Sequence, residues 1–66
     1  MNFKQEPDNT YHCFDWCDLE DGETIIAIIE RSKEDLYWRA NIVYNRPLSC
    51  GHLKRLADKV SELNKG

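Results

Sequence analysis

The chain has no uninterrupted apolar run longer than the five residues Ile25 to Ile29, whereas a membrane-spanning helix needs about 20. Glycine and proline number three and two among 66 residues, which excludes collagen-like and low-complexity architectures. Cysteine occurs three times, as Cys13, Cys17 and Cys50. An odd count rules out a fully paired disulfide framework, and no basic stretch leads into an apolar run as in a signal peptide. A soluble, reduced, cytoplasmic protein is the expectation. Also missing are a phosphate-cradling glycine loop, a dinucleotide fingerprint, a Ser/His/Asp set and a C-x2-C knuckle. These absences point to a protein without catalytic activity and without a cofactor.

What is present suits a folded chain. Hydrophobic residues make up 41% and seven residues are aromatic, more than a charge-dominated disordered segment carries. A chain of this size buries only about 60% of the surface that its unfolded form exposes, so a staple, a metal or a partner chain would help it. The net charge of −3 is unevenly spread. Residues 1 to 23 hold seven acids against Lys4, and residues 24 to 66 hold eight bases against five acids. Such asymmetry can steer a partner.

Residues 1 to 9, MNFKQEPDN, read as a flexible arm with a turn at Pro7, and residues 10 to 66 as one domain. Thr10 to Leu19 is dense in aromatics, as a strand is. Asp21-Gly22 is a hairpin signal, since both residues tolerate positive φ. Thr24 to Glu30, "TIIAIIE", reads as a central strand, with Ile25 and Ile29 on one face and Ile26 and Ile28 on the other. Residues 36 to 47 alternate as a half-buried strand, with Tyr37, Arg39, Asn41, Val43 and Asn45 outward. Ser49 is an N-cap candidate, followed by Leu53, Leu56, Ala57, Val60 and Leu63 at helical spacing. Lys54, Arg55, Asp58, Lys59 and Glu62 fall on the opposite side. The fold class is therefore α+β, a three-stranded antiparallel meander with one C-terminal helix packed on one face. The second sheet face needs cover from Phe3, a second copy of the chain, or another protein.

The residues "YHCFDWCDLEDGE", 11 to 23, raise a metal question. Cys13, Cys17, Cys50 and His52 form the inventory of a Cys3His zinc site. On a strand, however, Cys13 and Cys17 lie about 13 Å apart at roughly 3.3 Å per residue, whereas thiolates on one zinc sit about 4 Å apart. No metal site is expected. Cys50 beside His52 at a helix start suggests a thiol nucleophile, but one helix on three strands offers little concavity for a substrate. The acids of "DLEDGE" do not align with a calcium loop. A sheet-based site for nucleic acid, with Tyr37 and Arg39 stacking bases, conflicts with a pI of about 5.2.

The reading that results is a small non-catalytic intracellular interaction module, an inhibitor or modulator that docks an acidic hairpin or an exposed sheet face on a larger protein. Its partner-binding residues are Asp18, Glu20, Asp21 and Glu23 for the acidic surface, with Tyr37 and Arg39 as anchors. The alternative is a zinc-stapled or sheet-based module for nucleic acid. In size and acidity the chain resembles the small inhibitory proteins that phages and mobile elements make against host enzymes.

Overall fold

The computed structural model describes residues 1 to 66. Four strands and one helix follow in chain order: β1 (Asn2–Gln5), β2 (Tyr11–Cys17), β3 (Gly22–Arg31), β4 (Trp38–Ile42) and α1 (Cys50–Lys65). The strands form one antiparallel sheet in the order β1-β2-β3-β4, a meander of nearest neighbours. The α+β class and the single C-terminal helix agree with the sequence, but the sheet has four strands rather than three. The additional one comes from the segment read as an arm, where Phe3 pairs with Cys13 and Gln5 with Tyr11.

The connection after β2 also differs. Asp18–Glu20 make one turn of 3-10 helix, and Asp21, not glycine, takes the left-handed conformation at φ 51°. Gly22 already belongs to β3. Aspartate tolerates this region better than most residues, so the reversal needs no two-residue Asp-Gly turn.

Cross-strand partners share a face of a sheet, and Cys13 and Tyr11 pair with Ala27 and Ile29. Phe14 then pairs with Ile25, so Ile26 is an extra residue, a β-bulge. The bulge resets the alternation. Ile26, Ala27 and Ile29 are all fully buried beneath α1, with Cys13, Cys17 and Leu56 completing the core. Ile25 and Ile28, paired with Phe14 and His12, are left on the other face. The expected pairing of Ile26 with Ile28 on one face is thereby corrected.

Helix α1 starts at a capping box. Ser49 Oγ accepts the His52 N–H at 3.2 Å, and His52 Nδ1 accepts the Ser49 N–H at 3.4 Å. This satisfies two helix-end donors that would otherwise lack partners. No helix is long and apolar enough to cross a membrane.

The bulge yields a stability prediction. Ile26→Ala removes a fully buried side chain and is expected to cost about 2–5 kcal/mol. Ile25→Ala, on the half-exposed face, should cost less than half as much. Urea melts of the two variants check this; equal losses would contradict the bulged phase.

Candidate functional site

The helix is tied to the sheet by polar side chains as well as by its leucines. Asp15, on the helix side of β2, accepts from Arg55 Nε at 2.9 Å and Nη2 at 2.5 Å, both through Oδ2. Its other oxygen accepts the Trp16 N–H at 2.9 Å. His52 Nε2 lies 3.7 Å from the same carboxylate and donates to the Trp16 carbonyl at 3.0 Å. With Nδ1 turned to the Ser49 N–H, Nε2 is the nitrogen that donates to the Trp16 carbonyl. Gly51 makes room for this arrangement, since a Cβ there would sit 3.1 Å from Arg55 Nη1.

Arg55 thus reaches over to the sheet while staying half-exposed, and Lys59 is largely covered. The Lys59 ammonium lies 5.2 Å from the Phe3 ring centroid and 5.1 Å from that of Tyr11, within cation–π range. Tyr11 in turn meets Trp38 edge-on at 5.6 Å. Long cationic side chains cover apolar surface with their stems, and a count of polar positions on a helical wheel misses that.

Burial raises the pKa of the Asp15 carboxyl, but the Arg55 and Trp16 hydrogen bonds outweigh it, so the group ends below the ordinary carboxylate range. Burial also pushes the Cys13 thiol up to about 11. Cys13 and Cys17 are buried core residues, whereas Cys50 is exposed. Both ring nitrogens of His52 are engaged in hydrogen bonds. The zinc candidates Cys13, Cys17, Cys50 and His52 do not converge, and no group of three or more His, Cys, Asp or Glu is placed to hold a metal ion.

The six residues expected to bind a partner fall in two places. Asp18, Glu20, Asp21 and Glu23 gather at the β2–β3 connection. Tyr37 and Arg39 lie at the far end of β3, whose ten residues span about 33 Å. Arg39 is held by Asp35, with Nη1 3.0 Å from Oδ1 and Nη2 2.5 Å from Oδ2. Tyr37 precedes β4 and sits in the turn, where its N–H bonds Asp35.

The acidic end carries two residues that the sequence reading left out. Trp16 is 56% exposed and Leu19 67%. Trp16 pairs with Glu23 on the face away from α1, and its indole N–H is fixed by Asp18 Oδ1 at 2.9 Å. Glu20 is bound by Arg46 at 3.1 Å, and Glu23 accepts from Asn2 at 2.7 Å. An alternation count through His12, Phe14 and Trp16 could have placed the tryptophan on that face. Comparison with protein-family models, curated proteins and solved structures gives no match.

Two outcomes follow. Asp15 holds its charge to lower pH when folded than when unfolded, where it titrates near 3.9. Its contribution is therefore present above about pH 4 and is lost as pH falls through the lower folded value. Stability measured against pH should fall less steeply in acid for Asp15→Asn than for the parent chain; identical slopes would remove Asp15 from the account. In thiol labelling at neutral pH, Cys50 should react at once and Cys13 and Cys17 only on unfolding, and rapid labelling of all three would contradict the burial of the pair.

Proposed function

We propose that the chain is a non-catalytic protein-interaction module that docks through the acidic end of its sheet. One observation carries the reading: two large apolar side chains, Trp16 and Leu19, stand exposed among Asp18, Glu20, Asp21 and Glu23 on a surface that no other element covers. A fixed aromatic anchor ringed by charge matches the anatomy of energetic centres in interfaces, where tryptophan is enriched. The rim carboxylates favour a basic surface with an apolar pocket and speed its encounter. Such docking would modulate or inhibit the protein that carries that surface, in keeping with a cytoplasmic setting. Nucleic acid is a poor fit to this end, because phosphates would meet four carboxylates.

Trp16→Ala and the double reversal Glu20→Lys with Asp21→Lys test the reading. Trp16→Ala removes an exposed side chain and should change melting little; the reversal also loses the Glu20–Arg46 pair and sets a lysine at the positive φ of Asp21, so it should cost about 1–2 kcal/mol with the fold retained. Quantitative capture from the source cells should lose the same partner about tenfold or more in both variants. Capture unchanged in both would remove the acidic end from the mechanism.

A further inference from the structure

The apolar side of α1 does not point where the helix packs. At 100° per residue, the mean direction of Leu53, Leu56, Ala57, Val60 and Leu63 lies about 50° around the axis from that of the covered residues His52, Leu56, Lys59, Val60 and Leu63. The rotated flank faces the open side of β4. There Ile42 remains 45% exposed and Leu53 51%. A groove of about 490 Å³ runs between them, lined chiefly by Trp38, Ala40, Ile42, Leu53, Ala57 and Val60.

Strand β4 is also a sheet edge, open beyond Trp38. It pairs only with β3. Successive residues of an antiparallel strand direct their N–H and C=O to opposite sides. Val43 donates to Ile26 of β3, so the odd-numbered residues face β3 and Trp38, Ala40 and Ile42 face outward. Trp38 is already served. Its N–H bonds Asn64 Oδ1 at 2.8 Å, and its carbonyl accepts from Asn64 Nδ2 at 3.1 Å. The asparagine amide thus stands in for a neighbouring strand residue. The opposite edge, β1, carries Lys4 and is followed by Pro7, two of the devices that discourage edge pairing.

We propose that β4 pairs antiparallel with β4 of a second copy of this chain, in a register centred on Asn41. Charge and hydrogen bonding select that register. Centring on Arg39 would set like charges face to face. Centring on Ala40 would require the Trp38 groups that Asn64 holds. Centring on Asn41 pairs Ala40 with Ile42 of the second copy and Ile42 with its Ala40, which uses the outward groups that Asn64 leaves open. Arg39 then meets Val43, and no like charges oppose. The arrangement is self-complementary, as a two-fold interface must be. The Leu53 and Ala57 flanks of the two helices come together over the extended sheet. A stable dimer needs about 800 Å² from each chain, roughly one sixth of the 4779 Å² surface. Trp16, on β2, lies two strands away from this contact, so Trp16→Ala tests the docking reading without touching the dimer.

Sedimentation equilibrium of the full chain should give twice 7.8 kDa, with Leu53→Glu raising the dimer dissociation constant by about 30-fold or more while the fold by circular dichroism persists. The register is read by disulfide trapping in a Cys50→Ser background. Asn41→Cys places two cysteines in a non-hydrogen-bonded pair with Cα atoms about 4.5 Å apart, within disulfide reach, and should cross-link under mild oxidant. Arg39→Cys should not. A chain that remains at single mass at about 100 µM would overturn the proposal and leave the groove to a strand of another protein. A dimer that traps equally through both positions, or is indifferent to Leu53→Glu, would overturn it as well.

Discussion

The rotation of α1 about its own axis is the constraint on which the rest of the structure depends, and polar contacts at its two ends set it. At the first turns, His52 reaches the Trp16 carbonyl and Arg55 the Asp15 carboxylate. At the last turn, Asn64 takes both main-chain groups of Trp38. Hydrogen bonds and ion pairs are directional, whereas burial of a leucine is not. With both ends fixed, the helix cannot turn its apolar stripe squarely onto the sheet, and Leu53 and Ala57 stay beside β4.

The small core explains why such anchors matter. Six hydrophobic residues and His52 are the buried set, too few for a wide margin in a chain of this length. The bulge at Ile26 adds a third β3 residue, beside Ala27 and Ile29, to the helix side, and the Lys59 ammonium lies over Phe3 and Tyr11. Both devices place apolar contact on the one face that has a covering layer. The opposite face keeps Ile25, Ile28 and Phe14 half-buried, and its acidic end shows Trp16 to solvent.

Much of this was legible in the sequence, and the failures have physical causes. Ser49 as the cap, the helix that follows and the strand nature of residues 11 to 17 and 24 to 30 follow from periodicity and turn chemistry. Strand β1 left no signal because only Phe3 among Asn2–Gln5 is apolar, as suits an edge with one side in water. The bulge was silent because a run of isoleucines looks the same in either phase. Lys59 was placed on the polar side of the helix because a binary pattern ignores its stem. At the candidate site, the four carboxylates cluster as expected. Tyr37 and Arg39 do not join them, since β3 separates the two ends and Asp35 occupies the guanidinium.

Residue-resolved amide hydrogen exchange along β4, in the parent chain and in Asn64→Ala, tests the central claim most directly. The account predicts a slow Trp38 amide in the parent that becomes fast in Asn64→Ala, while the Arg39 and Asn41 amides, bonded into β3, stay protected in both. A Trp38 amide that exchanges freely in the parent, or is unaffected by loss of Asn64, would contradict the anchoring of the helix end and the rotation derived from it.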